Sequence, residues 1–267
     1  MHELSILLLG QTNRTEFEEA RIALNALGIV RDFCDVAEAT RALTEAEIVP
    51  DVIVIAQAFP GQFSHQAIDC LRRLAPLARV VGLMGSWCEG EMRTGAPWPG
   101  VVRTYWHQWT ARCHRELRRL AAGQTCSWAL PPTATEEERL LANLGESWPR
   151  REGVVAIRAR SHEAAGWLST ACRSRGFATV WQRMPGIARV EGAAAAIIDG
   201  GGFCDEEYEE LRDLAAAVQP APVIAILAFP RVEDRRRALS AGAAAVLSKP
   251  LAVDDLFWEL DKVATDH

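Results

Sequence analysis

The sequence predicts two doubly wound α/β units in tandem, each built on a five-stranded parallel sheet. Three observations predict it. Short apolar runs alternate with longer stretches of helical periodicity along all 267 residues. Residues 51–56 (DVIVIA) form an unbroken, largely β-branched run, as expected of a parallel strand covered on both faces. The alternation breaks once, over residues 124–152, where Pro, Thr and charge accumulate, so the chain divides into units at 1–123 and 153–267.

In the first unit, residues 4–9 (LSILLL) predict a buried strand. Phe17, Ala20, Leu24 and Leu27 recur at helical spacing over 16–27, and Gly28 is a suitable stop. A strand at 29–34 and a helix at 37–45 lead to the central strand at 51–56. The helix at 64–75 ends before Pro76. Strands follow at 79–84 and 101–105, and a helix at 110–122 closes the unit. Gly95, Pro97, Pro99 and Gly100 argue against a regular fourth helix.

The second unit repeats the plan. A strand at 154–157 precedes a helix that Ser161 can cap and Gly176 can end. Strands are expected at 178–182, 193–198, 223–227 and 244–247, with helices at 205–218, 232–241 and 253–264. In the linker, TEEE at 135–138 is a capping-box pattern, so a short helix at 136–144 is expected; a wholly flexible linker is the alternative.

Composition narrows the function. Net charge is −6 and pI about 5.6, which argues against a global grip on nucleic acid. Seven scattered Cys without a CxxC fit free thiols in a reducing compartment. The N-terminal apolar run is too short for a signal or a membrane span, so a cytoplasmic protein with no membrane partner is expected. No GxSxG, HExxH or P-loop occurs, and the Gly200–Gly202 run lacks dinucleotide-binding spacing. An enzyme is not expected, and no cofactor is implied.

Residues 222–260 (PVIAILAF…AGAAAVLSKPLAVDDLFWEL) resemble the last third of a response-regulator receiver domain, the CheY-like form of the flavodoxin-type fold. Lys249-Pro250 matches the family's Lys-Pro, and Asp199, ending AAAAIID, sits where the family carries its phosphoacceptor. The resemblance implies two (βα)5 receiver-like units, the second the clearer copy.

The implied chemistry is damaged. The family binds Mg²⁺ through an acidic pair at the end of its first strand, together with the acceptor Asp, to offset charge on the incoming oxygens. Here that strand reads VVAIRAR, with Arg158, Ala159 and Arg160 in place of the acids. Leu227 replaces the family's hydroxyl residue. One expectation is a fixed ion pair, with Asp199 flanked by Lys249 and by Arg158 or Arg160. The other is that the arginines point to solvent and Asp199 caps the loop. In the first unit, an offset of 143 residues lays Ala56 on Asp199, Met84 on Leu227, and Trp106 or its neighbour Tyr105 on Lys249. No phosphoryl chemistry is expected there.

Residues 86–109 hold Trp87, Trp98, Trp106 and Trp109, four of nine Trp. Cys88, His107, Cys113 and His114 lack paired metal-ligand spacing, so no metal site is expected. Three uses are open. The stretch corresponds to the signalling face of a receiver, so Trp87, Arg93, Trp98, Tyr105, Trp106, His107 and Trp109 are candidates for docking a protein partner or a second copy. The loop at 85–100 is alternatively a ligand pocket, or its Trp side chains cover a sheet left bare by the missing helix. The function expected is a non-catalytic signalling or scaffold protein of two pseudo-receivers, acting through protein contacts and independent of phosphorylation. The alternatives are a response regulator phosphorylated on Asp199, and a small-molecule sensor using the loop at 85–100.

Overall fold

A computed structural model describes residues 3–131, 133–143, 148–183, 186–202 and 204–265. Two compact units divide between residues 146 and 147.

In the first unit, strands β1 (Leu4–Gly10), β2 (Gly28–Phe33), β3 (Val52–Gln57), β4 (Arg79–Met84) and β5 (Val102–Tyr105) form one parallel sheet in the order β2-β1-β3-β4-β5. Helices α1 (Glu18–Asn25), α2 (Val36–Thr44) and α3 (His65–Leu74) connect the first four strands. Leu7, Leu9, Ile53 and Ile55 pack with residues of α2 and α3. Ile6, Leu8 and Val54, of opposite parity, are equally buried, so both faces are covered. The first helix starts later than its pattern predicts. Thr15–Phe17 form a 3-10 turn, and Glu16 is diverted to accept from Ser86 N at 2.8 Å, Ser86 Oγ at 2.9 Å and Arg14 Nε at 3.0 Å.

The fourth helix is reduced to the single turn α4 (Glu91–Thr94), as the Gly and Pro pattern predicts. Trp98 takes over its covering role. Its ring lies over Gly82 of β4, where a Cβ would come within 3.3 Å of the indole. Its Nε1 donates to Phe63 O at 3.1 Å. Helix α5 (Trp109–Ala121) then places Trp109 against Trp128, with ring centroids 5.4 Å apart.

The expected linker is largely absorbed into the two units. Thr135 and Glu138 form the capping box at α6 (Glu136–Asn143), with Glu138 N donating to Thr135 Oγ1 at 3.2 Å and Thr135 N to Glu138 Oε2 at 2.7 Å. Residue 144, the last of the expected helix, lies outside the described residues. Trp128 N donates to Glu116 Oε2 at 2.9 Å, and Arg119 holds Ala142 O at 2.9 Å. Trp148 packs instead on the core of the second unit.

In the second unit, β6 (Val154–Ala159), β7 (Ala178–Gln182), β8 (Ala193–Asp199), β9 (Val223–Ala228) and β10 (Ala245–Lys249) form a parallel sheet in the order β7-β6-β8-β9-β10. This repeats the order of the first unit. One face packs on α7 (His162–Ser174) and α10 (Val253–Thr265), the other on α8 (Asp205–Val218) and α9 (Val232–Ser240). Ser161 caps α7 as expected, accepting from Ala164 N at 3.0 Å. One helix of the expected (βα)5 plan is missing: the described residues between β7 and β8 contain none. The connection, RMPGIARVEG, is short and carries Pro and two Gly, which oppose a helix.

Both units are flavodoxin/CheY-like α/β domains. No helix among the described residues is long and apolar enough to cross a membrane.

Candidate functional site

The site of the second unit lies at the carboxyl ends of its strands, where ligands of open α/β sheets bind. Residues 193–197 of β8 are small and apolar enough for a central position, and Asp199 is the first charged group after the run. Side chains alternate along a strand, so Ile197 and Asp199 face α7 and α10, while Ala196 and Ile198 face α8 and α9. Lys249, the last residue of β10, reaches across β9. Its Nζ lies 2.6 Å from Asp199 Oδ1, and it donates to Gly200 O at 3.3 Å. The carboxylate is 10% exposed and the lysine 40%. The pair opens onto a cavity of about 350 Å³ to which α7 contributes Glu163 and Trp167.

The expectation that Arg158 or Arg160 flanks Asp199 is corrected. The register partner of Asp199 on β6 is Ala159; Arg158 pairs with Ile198 and shares its face. Arg158 is buried there, and its Nη1 donates to Gln182 O at 3.3 Å, Arg183 O at 2.9 Å and Gly186 O at 2.9 Å. Its Nε lies 3.5 Å from Glu210 Oε2. It therefore organises the connection that replaces the missing helix. Gln182 assists, exchanging two hydrogen bonds with the backbone of Ala188. Arg160 is half-exposed and pairs with Glu207 Oε1 at 3.1 Å. Glu207 also accepts from Gly201 N at 2.7 Å and Cys204 N at 3.1 Å, fixing the loop after β8. The alternative reading fails for Arg158, which is buried, and holds in part for Arg160, whose side chain is 53% exposed while paired with Glu207. Glu207 and Glu210 were readable as a three-residue repeat on one helix face, facing the two arginines of β6.

In the first unit, the strand registers reproduce the offset of 143. Ala56 pairs with Leu83 as Asp199 pairs with Ile226, and Met84 pairs with Tyr105 as Leu227 pairs with Ser248. Trp106 thus corresponds to Lys249, and the equivalent position holds neither an acceptor nor a lysine. A different buried group occupies the adjoining face. Gln57 Nε2 donates to Glu91 at 3.2 and 3.3 Å, Arg103 pairs with Glu91, and Cys88 Sγ donates to Gln57 O at 3.3 Å. Sequence patterning did not single out Gln57 or Arg103, since their convergence on Glu91 depends on β5 lying beside β4. They pin α4 to the sheet edge.

The aromatic stretch separates into two kinds of residue. Trp98, Trp106 and Trp109 are buried, which corrects their assignment to an interaction surface. The Trp98 ring does the covering that a fourth helix would do, while Trp109 packs on Trp128 and Trp106 meets the His107 ring edge-on. Tyr105 is half-buried and its ring stacks on that of His107 at 5.7 Å; the His107 side chain is itself only 2% exposed, with Nε2 3.1 Å from Glu89 Oε1, so its assignment to an interaction surface is corrected as well. Trp87, 74% exposed, and Arg93 do reach the surface, together with Met92. Burial pushes the Cys88 thiol up and that of Cys126 up to about 12. Among the described residues, no group of three or more His, Cys, Asp or Glu is placed to hold a metal ion.

No family model matches the chain, and no curated protein matches it. Solved structures share its features at low identity. The receiver domain of a Francisella response regulator is 16% identical over 43% of this chain and 98% of its own, with a TM-score of 0.33. A response regulator from Thermotoga maritima is 17% identical over 43% of this chain and 99% of its own, with a TM-score of 0.35. A protein described as a putative two-component response regulator with a GGDEF domain spans 99% of both chains at 14% identity and a TM-score of 0.33. The fold itself rests on the strand order and register of the two sheets.

Proposed function

We propose that this chain is a signalling or scaffold module of two degenerate receiver-like units, working through protein contacts and without phosphorylation. One observation carries the reading. Asp199 is closed on Lys249 at 2.6 Å, while its neighbour on β6 is Ala159 rather than a carboxylate. The ammonium supplies permanently the positive charge that a bound cation would supply to a phosphoacceptor. The arginines that replace the family's acids are spent elsewhere, Arg158 on the carbonyls of residues 182, 183 and 186 and Arg160 on Glu207. The first unit has Ala56 at the equivalent position and has no charge to switch.

Contacts with a protein partner or a second copy would use the exposed remnant of the aromatic stretch, Trp87 with Met92 and Arg93. The second reading is a response regulator phosphorylated on Asp199, favoured by the open cavity beside the carboxylate. Exposure of the full chain to acetyl phosphate and Mg²⁺, followed by intact mass measurement, separates the two.

A further inference from the structure

We infer that the cavity beside Asp199 is a binding site for a small organic cation, an ammonium group carried on an aromatic or alicyclic body. The cavity measures about 350 Å³, within the range of sites that enclose a small ligand. Its walls are mostly apolar, formed by Leu168, Ile226 and Leu251. Trp167, on α7, is 44% exposed and lines the cavity. Such a half-exposed indole beside an apolar hollow is a platform for a flat or cationic group.

Charge selects the sign of the ligand. Two carboxylates, Asp199 and Glu163, line the cavity against one ammonium, Lys249. That ammonium is already engaged by Asp199 and by Gly200 O. Glu163, exposed in the first turn of α7, has no ion-pair partner among the described residues. Glu163 and Trp167 are four residues apart on one helix and so lie on the same face. A ligand whose body lies against Trp167 and Leu251 can thus direct its ammonium at Glu163. An anionic ligand would meet Glu163 and Asp199, and the one ammonium of the lining, Lys249, is already paired with Asp199. The inference rests on Asp199 remaining paired with Lys249 and unphosphorylated.

The test uses the full chain, without a phosphodonor, and two probes that share a ring and differ in charge: tryptamine and indole-3-acetate. Binding is followed by saturation-transfer NMR and calorimetry. Tryptamine is expected to saturate one site and to bind about tenfold or more tighter than indole-3-acetate, a difference of about 1.4 kcal/mol. Glu163→Gln should remove that preference, and Trp167→Ala should abolish saturation. Both side chains are exposed, and circular dichroism of the variants checks that they fold. Leu77→Ala, at an exposed position of the other unit, should bind as the parent does. No saturable binding of tryptamine, an equal or stronger response to indole-3-acetate, or binding that survives in both α7 variants would overturn the inference. Uptake of phosphate at Asp199 in a separate experiment would overturn the function proposed above and leave the tryptamine titration standing as its own result.

Discussion

Arg158 and Asp199 stand one step out of phase across β6 and β8, and their charged groups leave the sheet on opposite faces. Ala159 is the register partner of Asp199, and Arg158 is that of Ile198. The guanidinium is therefore committed to three loop carbonyls and to Glu210, far from the chemistry its sequence position suggests.

This relationship makes Arg158 a stability determinant of the second unit. Arg158→Ala should destabilise it by about 3 kcal/mol, because Glu210 and the loop carbonyls lose a buried charged donor. Arg158→Lys should recover only part of this, since one ammonium cannot meet both the carbonyls that accept from Nη1 and the Glu210 carboxylate beside Nε. Urea unfolding of the full chain measures both. An unchanged midpoint for Arg158→Ala would contradict the assignment.

The two classes of Trp in the first unit predict opposite mutational outcomes. Trp109, fully buried against Trp128, should cost about 3–5 kcal/mol on truncation to Ala. Trp87, at the surface, should stay within about 0.5 kcal/mol of the parent. Equal costs in denaturant titration would mean that the stretch is not divided into core and surface residues.

Thiol chemistry follows burial. Cys34 and Cys204 are exposed, whereas Cys88, Cys113, Cys126 and Cys172 are buried. Near neutral pH, an aromatic disulfide reagent should modify Cys34 and Cys204 in the native chain and reach the four buried thiols only on unfolding. Peptide mapping after brief labelling identifies the sites.

The same burial sets an alkaline limit. Burial lifts Cys126 and Cys172 from an ordinary value of 9.0 up to about 12. The folded state therefore holds these protons more tightly than the unfolded chain does. The stability linked to them is complete below about pH 9 and is lost as pH rises towards about 12. Unfolding midpoints measured across that window should fall, and Cys172→Ala should flatten the fall.

Much of this architecture was legible because it depends on local pattern. The apolar runs, the Ser161 cap, the Thr135–Glu138 capping box and the offset of 143 between the units all reappear in the structure. The Asp199–Lys249 pair was legible for the same reason, since each residue ends a recognisable strand. The fate of the arginines was misread because side-chain parity was not followed from Asp199 back to β6. Counting by twos along VVAIRA places Ala159, not Arg158, on the carboxylate's face. The break in the (βα)5 plan after β7 was legible, since RMPGIARVEG is short and carries Pro and two Gly, whereas the Gln57–Glu91–Arg103 group was not, because it depends on contacts between segments distant in sequence.

The central claim is that Asp199 is held by Lys249 and takes no phosphate. The most direct measurement is the intact mass of the full chain after incubation with acetyl phosphate and Mg²⁺, beside Asp199→Asn treated identically. The account predicts that neither protein gains mass. A stoichiometric gain of one phosphoryl group in the parent, absent from Asp199→Asn, would contradict it.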